Sequence, residues 1–292
     1  MDLTLDRSTG MMSSMPTKPR SLVLDLFGEY LRFVDEGIQL GHLITLLEAF
    51  GIAPPTVRVT MSRLRREGWF TVQRTGRESR YQLTENMLEV LDEGRERIFA
   101  APPNDWSGQW TLVIYQLSES DRHDRDQLRK ALAWNGFGPL STSTWLTPDD
   151  RRETARGLLA DLDAKQAEVL ICSSDGVEHD RSLAQQCWDL ASLGEEYDEF
   201  VADHRDLPKK ASRLQGDEAL AARTHLIARY RHFPFRDPQL PPQLTPDPWP
   251  GYAAYQLFHE AHAALGPAAR AYVGDVIGHE VTDAEMVGRR RV

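Results

Sequence analysis

The stretch Thr-Val-Arg-Val-Thr-Met-Ser-Arg-Leu-Arg-Arg-Glu-Gly-Trp, residues 56–69, decides the fold of the first domain. Val57, Met61 and Leu64 recur at intervals of four and three residues, which gives a helix one apolar stripe. A proline before the stretch suits the first turn of a helix, and the glycine near its end suits a helix stop. The stretch therefore predicts a helix from about Pro55 to Glu67. Its other side carries Thr56, Arg58, Val59, Ser62, Arg63, Arg65 and Arg66.

Positive charge is concentrated around this helix. The 292 residues carry a net charge of −10, yet residues 54–81 contain seven arginines, no lysine and two glutamates, a local balance of +5. Guanidinium groups form paired hydrogen bonds with phosphates and guanine edges, whereas an ordinary solvated face mixes both signs. The window therefore predicts a surface for double-stranded DNA. A protein-interaction module that binds no DNA is an alternative, and the arginine excess argues against it.

The segments around this helix predict a winged helix-turn-helix over residues 20–100. Apolar spacing predicts helices at 21–34 and 41–50 before it, and 85–99 after it. Strand-like residues 69–73 and 79–83 flank a turn with a glycine, which predicts a hairpin. In this arrangement the third helix enters the major groove and the hairpin lies on the DNA backbone. We expect Thr56, Arg58, Val59 and Arg63 to meet base edges or nearby phosphates, and Arg65, Arg66, Arg74, Arg77 and Arg80 to hold the DNA backbone.

The rest of the chain predicts two further domains, so the fold class is multi-domain α+β. Over residues 105–175, predicted strands alternate with predicted helices. The strands are placed at 110–117, within 140–146 and at 168–172. One helix is placed at 121–134, and a second follows an N-cap turn at 147–150 and runs to about Leu162. Residues 180–285 are mostly helical, with helices predicted at 183–204, 217–233, 251–265 and 267–277 around a proline-rich loop at 234–250. Residues 1–19 are expected to form a disordered tail.

Three groups of motifs make the chain resemble the PaaX family, which is named for repressors of phenylacetate catabolism. They are Ser21–Gly28 with Glu67–Trp69, then Trp106–Trp110 with Gly136–Leu140 and Ser143–Leu146, and finally Phe235–Leu244 with Trp249–Gly251. The resemblance implies a ferredoxin-like central domain, of which the sequence shows three strands where that fold has four. It also implies a repressor whose DNA binding is relieved by an aryl-CoA thioester such as phenylacetyl-CoA. The sequence by itself does not separate repression from activation.

An acyl-CoA effector needs an apolar slot for its acyl end and cations for its phosphates. The candidate aromatic residues are Trp110, Trp134, Trp145, Phe235 and Trp249. The candidate phosphate partners are Arg213, Arg229, Arg231 and Arg236. For each aromatic residue a place in an ordinary core is the alternative. We expect the helical C-terminal region to bind the effector and to form a homodimer on a pseudo-palindromic operator.

Other function classes find little support in the sequence. No apolar run approaches the roughly 20 residues that cross a bilayer, and no signal peptide precedes the first domain, so we expect a cytoplasmic protein. His259 and His262 are three residues apart, whereas the helical zinc motif spaces its histidines by four, so no metal or cofactor is expected. Strand 110–117 carries no acidic residue for a nuclease metal. A CoA-thioester hydrolase or nuclease with a DNA-binding appendage is the enzymatic alternative, and we expect no enzyme.

Overall fold

The computed structural model describes residues 18–34, 36–76, 78–116, 122–161 and 166–281. They form a mixed α+β protein with two small antiparallel sheets and many helices. The chain divides into two compact units, which do not follow the sequence linearly. The first combines the described residues up to Asp92 with Arg213–Ala228 and those from Leu265 onwards, and the second combines Glu93–Ser212 with Arg229–Ala264. The sequence predicts three contiguous domains, 20–100, 105–175 and 180–285. In the structure, two segments of the third predicted domain, Arg213–Ala228 and the described residues from Leu265 onwards, belong to the first unit.

The first unit begins with a run of short helices and ends its N-terminal part with a hairpin and a helix. The elements are α1 (Pro19–Leu26), β1 (Ile38–Gln39), α2 (Leu40–Glu48), α3 (Pro54–Arg66), β2 (Phe70–Thr75), β3 (Glu78–Leu83) and α4 (Glu85–Phe99). Of α4, the residues up to Asp92 belong to this unit. A π-helical turn, Phe27–Leu31, continues α1. These bounds agree within a few residues with the predicted elements, because each element carries its own apolar period and its own stop signal.

The end of α3 is fixed by a glycine. Gly68 has a φ of 79°, in the left-handed region that glycine adopts without a steric cost. The backbone N–H of Trp69 donates to the carbonyl of Leu64 at 3.1 Å, and that of Gly68 donates to Arg65 at 3.1 Å. This pair of bonds is the Schellman arrangement, which satisfies the last carbonyls of the helix and turns the chain into β2.

The sheet of the first unit has the order β1-β3-β2, with all neighbours antiparallel. Phe70 lies opposite Leu83, and Ile38 lies opposite Tyr81. These four side chains are buried and join the helices in one core. Period-two alternation therefore places one side of the hairpin on the core and the other in solvent.

The core of the first unit also contains residues from far along the chain. Helix α10 (Gly216–Tyr230) contributes Ala219 and Leu220, and helix α11 (Pro250–Ile277) contributes Ala269 and Val273. All four residues have a side chain with no exposed surface. The first unit is thus completed by C-terminal segments that local sequence patterns do not connect with the N-terminal helices.

The second unit contains a four-stranded antiparallel sheet of order β5-β6-β4-β7. Its elements are β4 (Trp110–Gln116), α5 (Arg122–Trp134), β5 (Gly138–Pro139), β6 (Thr144–Thr147), α6 (Arg152–Asp161) and β7 (Gln166–Cys172). The strand that the sequence did not show is β5, which has two residues and pairs Gly138 with Leu146. Two residues are too few to display an alternating pattern. A Cβ at Gly138 would lie 2.5 Å from the ring of Trp188, so glycine is required at this close approach.

Two helix predictions in the C-terminal region were wrong. A single helix was predicted at 183–204, but the chain forms α7 (Val177–Cys187) and α8 (Leu190–His204), because Asp189 between them caps α8 by accepting from the N–H of Ser192 at 3.1 Å. Two helices were predicted at 251–265 and 267–277, but α11 runs through Pro267.

The side chains around this proline explain the continuous helix. Ala261, Leu265, Ala269 and Val273 are all fully buried on one face of α11. This packing outweighs the lost backbone hydrogen bond.

The remaining elements are shorter. Helix α9 spans Leu207–Ala211, and a 3-10 turn, Phe233–Phe235, follows α10, where the prediction had extended the helix. The proline-rich loop after it packs down, with Leu240 and Leu244 buried against Trp110 and Leu146. No helix in the described ranges is long and apolar enough to cross a membrane.

Candidate nucleic-acid interface

Helix α3 has one buried side and one exposed side, as its sequence predicts. Val57, Met61 and Leu64 are at most 1% exposed. The exposed positions are Pro55, Thr56, Arg58, Val59, Ser62, Arg63, Arg65 and Arg66. All the α3 residues predicted to meet DNA therefore lie in solvent.

The exposed side of α3 has a crest and two flanks. Successive residues turn by about 100° around a helix axis. On this geometry the residues opposite the buried stripe are Ser62, Arg66, Val59 and Arg63, which we call the crest. Arg58 and Arg65 lie along one flank, and Thr56 lies along the other. The crest thus offers a hydroxyl, two guanidinium groups and one apolar side chain.

The acid at the end of α3 has a cationic partner. A carboxylate oxygen of Glu67 lies 2.8 Å from Nη1 of Arg20, and the same guanidinium stands 4.0 Å from the ring centroid of Trp69. The negative charge of Glu67 is therefore paired with the guanidinium of Arg20. Arg20 was not among the predicted site residues, since it is far from α3 in sequence and only the fold brings the two together.

The hairpin places its described arginines on opposite faces. Arg74 lies opposite Ser79, and Arg80 lies opposite Gln73. Residues directly opposite each other share a face, and the face alternates along a strand. Arg74 therefore shares the face of the buried Phe70, against which the helices pack, whereas Arg80 points to the other side. Arg77 lies outside the described residues.

The face of Arg80 contains acidic and amide groups. The guanidinium of Arg80 donates to Glu36 at 3.3 Å, and the amide of Gln39 donates to Glu78 at 2.9 Å. Burial, and after it the nearby Arg80, lower the pKa of His42. Two of the predicted hairpin arginines lie within the described residues. Arg74 is exposed on the face of the hairpin against which the helices pack, and Arg80 has the acidic neighbour Glu36 on the opposite face.

The aromatic effector candidates do not form one slot. Trp110 and Trp145 are 1% and 3% exposed, and they belong to cores on opposite faces of the four-stranded sheet. The indole N–H of Trp110 donates to Asp180 at 2.8 Å. Trp134 and Phe235 stack on each other at the surface, with ring centroids 5.5 Å apart. Trp249 is half-buried beside Tyr197, at 5.8 Å.

The arginine effector candidates are equally dispersed. Arg229 lies 3.6 Å from Asp203, and Arg236 donates to Glu196 at 2.7 Å, which lowers the pKa of that carboxyl group. Arg231 is half-buried, and Arg213 is exposed in the first unit, whereas the other candidates belong to the second. The predicted residues therefore lie in several separate places.

A cleft in the second unit is lined by the predicted effector residue Trp249 and by groups that sequence reasoning missed. Its lining includes Tyr197, Tyr230, Asp237, Tyr252 and Tyr255. The Tyr197 hydroxyl donates to Asp237 at 2.7 Å, and burial raises the pKa of that carboxyl group. No spacing pattern connects these residues, so only the fold reveals the cleft.

The histidines of the predicted zinc alternative pack against an aromatic ring. His259 and His262 contact Phe99, at centroid distances of 5.6 and 5.0 Å. Within the part of the chain that the structure describes, no group of three or more His, Cys, Asp or Glu side chains could hold a metal ion.

Comparison with known proteins places similarity along nearly the whole chain. Three family descriptions match successive ranges: PaaX-like protein at 18–87, PaaX protein central Cas2-like domain at 103–184, and PaaX-like protein C-terminal domain at 188–275. The transcriptional repressor PaaX of Escherichia coli (strain K12) is 31% identical over 275 residues, covering 90% of this chain and 85% of the repressor. The solved structure of uncharacterized protein Rv0674 from Mycobacterium tuberculosis matches with a TM-score of 0.60 and 24% identity, over 87% of this chain and 98% of that one.

Proposed function

This chain belongs to the PaaX family, and from that membership we propose that it is a DNA-binding transcriptional repressor. The family is one of regulators rather than enzymes. The observation that carries the proposal is the exposed side of α3, on which Arg58, Arg63, Arg65 and Arg66 all stand in solvent. These four arginines are exposed and lie on the side of α3 away from its buried stripe, and the phosphates of duplex DNA supply the matching negative charge.

In this proposal the N-terminal elements act as a winged helix-turn-helix, with α3 in the major groove. Thr56, Val59 and Arg63 follow one another at intervals of three and four residues, so they line one side of the helix and reach base edges together. Arg58 and Arg65 on the opposite flank meet phosphates, with Arg58 also within reach of a base edge. Arg66 lies between the two sets and completes the contact with the DNA backbone.

The wing contributes unequally in this proposal. Arg74 lies on the helix side of the hairpin and is exposed, so we assign it a phosphate contact. Arg80 points away from the helices and has Glu36 at 3.3 Å, so its contribution to DNA affinity is small. This differs from the expectation from sequence, which treated both as backbone contacts.

Fluorescence anisotropy with labelled DNA tests the DNA-binding function. The probe is the DNA upstream of the gene that encodes the chain, and the comparison is a scrambled duplex of equal length and composition. Specific sites are typically bound about 10³-fold or more tightly than non-specific DNA. We expect that preference for the wild type and its loss on R63Q together with R66Q. Equal affinity of wild type and R63Q/R66Q for the upstream DNA would contradict the proposal.

The enzymatic alternative is tested with the same preparation. The protein is incubated with aryl-CoA thioesters, and separately with single- and double-stranded DNA plus Mg²⁺. The enzymatic alternative is favoured if free thiol is released, or the DNA is shortened, in proportion to the protein added. This activity should then persist in variants of α3, as expected for an enzyme with a DNA-binding appendage. We expect neither product.

Regulation by an aryl-CoA thioester, such as phenylacetyl-CoA, is part of the proposal through the family resemblance. The C-terminal region supplies the effector site and the homodimer contact. A coupling of about 1–3 kcal/mol between effector and DNA is the usual scale for such a switch. Thermal-shift screening against CoA thioesters, followed by loss of the DNA complex on addition of each stabilising compound, tests it. Sedimentation velocity with and without operator DNA tests the dimer.

A further inference from the structure

Val59 stands at the centre of the arginine-rich face of α3 and is 63% exposed. It is more exposed than Trp134, at 55%, or Val90, at 51%. Its neighbours one turn away are Thr56 and Arg63, both exposed and polar. An apolar side chain kept in water among cations contributes nothing to the core of its own unit, whose α3 contacts come from the opposite stripe.

The chemistry of valine limits what it can recognise. Its two methyl groups neither donate nor accept hydrogen bonds, so a phosphate or a polar base edge gains nothing from it. In the major groove the C5 methyl group of thymine is the apolar feature that a side chain can contact. A β-branched residue on a helix has essentially one side-chain rotamer, so the two methyl groups are held in a fixed direction.

We propose that Val59 is a specificity-determining residue that contacts the methyl group of one thymine in each operator half-site. The inference rests on the proposed insertion of α3 into the major groove. Val59 and Arg63 are four residues apart, which is about 6 Å along the helix. Since base pairs are spaced by about 3.4 Å, the thymine lies within about two base pairs of the position that Arg63 contacts.

Replacement of thymine by deoxyuridine tests this contact, because it removes the methyl group and leaves the hydrogen-bonding edge unchanged. The site is first located by footprinting with the full-length wild-type protein. Each thymine within it is then replaced singly, and the Kd is measured for the wild type and for V59A. We expect one position per half-site at which deoxyuridine weakens wild-type binding about fourfold, the scale of one buried methyl group. V59A should bind thymine DNA about as weakly as the wild type binds the deoxyuridine DNA, with no further loss at that position.

Two controls separate this contact from other causes. V90A removes the same atoms from an exposed position on α4 of the same unit and should leave every Kd unchanged. V59T keeps the shape of valine but replaces one methyl group by a hydroxyl, so it should retain the fold and lose part of the thymine preference. Circular dichroism and thermal unfolding of each variant confirm the fold.

The outcomes distinguish this proposal from the proposed function. If the wild type binds its site and V59A shows the same loss of affinity as the wild type at every deoxyuridine position, the thymine contact is refuted and DNA binding stands. If the footprint contains no thymine, the contact is likewise refuted. If the wild type binds no DNA specifically, the proposed function fails and the thymine contact fails with it.

Discussion

Replacing Arg223 by methionine should destabilise the first unit without touching the exposed arginine side of α3. Nη2 of Arg223 lies 3.3 Å from a carboxylate oxygen of Glu29, and the two side chains are 3% and 8% exposed. Arg223 belongs to α10, whereas Glu29 lies in the π-helical turn after α1. The pair therefore joins a C-terminal segment to the N-terminal helices inside one unit.

The expected magnitude follows from the burial of both groups. Methionine keeps the aliphatic volume of arginine but removes the Arg223 guanidinium from the buried Glu29 carboxylate. Removing one partner of a buried ion pair typically costs about 3–5 kcal/mol. Replacing both partners by apolar residues of similar volume is often neutral, so R223M/E29M should recover most of the loss.

Hydrogen exchange measured by mass spectrometry on the full-length protein is the suitable assay, because it reports each segment separately. In R223M, slow amides in 18–92, 213–228 and 265–281 should exchange about 10²- to 4 × 10³-fold faster, as 1.4 kcal/mol corresponds to a factor of ten. Slow amides of the second unit should change little. R213M is the matched control, since Arg213 is an exposed arginine of the same unit.

Two results would refute this reasoning. A loss below about 1 kcal/mol in R223M would mean that the buried pair does not stabilise the unit. Faster exchange in 213–228 alone, with 18–92 unchanged, would mean that the C-terminal segment is not part of the same cooperative unit.

Three further predictions concern single side chains. R20A should weaken DNA binding about twofold to fivefold at low salt, because the Glu67 carboxylate is then no longer paired with Arg20 and repels nearby phosphates. The double variant R20A/E67Q should restore the affinity. R74Q should reduce the slope of log Kd against log salt by about 0.9, the value for one phosphate contact, whereas R80Q should leave the slope unchanged. Burial lowers the pKa of His204 in the folded chain, so as the pH falls this side chain takes up a proton in the unfolded chain before it does so in the folded one. The free energy of unfolding should therefore decrease as the pH drops below about 6.5. H204Q should make that decrease shallower, as measured by urea titrations at several pH values.

Each of these predictions can be contradicted directly. Failure of E67Q to restore affinity in R20A would show that Arg20 acts by another route, such as its stacking on Trp69. An equal change of slope in R74Q and R80Q would contradict the different roles proposed for the two faces of the hairpin. A pH profile that is the same in H204Q and wild type would show that His204 does not account for the loss.

The sequence by itself determined the elements whose information lies within a few residues. The apolar stripe of α3, its proline start and its glycine stop all fall within residues 54–68, so helix and arginine face followed from the printed chain. The hairpin was similarly local, with two strand-like runs around one glycine. The helix over 85–99 was also predicted with its observed bounds. Helix and hairpin formation depend on near neighbours, and this is why such elements can be read from one sequence.

Only the tertiary structure decided how distant segments meet. No local pattern connects Arg20 with Glu67, or Ala219 and Val273 with the N-terminal core. The helix continued through Pro267 because burial on one face outweighed the local preference of proline. The effector candidates, chosen by residue type alone, were dispersed over separate places. Contacts between distant segments depend on the burial that the whole fold provides, and this sum of many small packing energies is not visible in any short stretch of sequence.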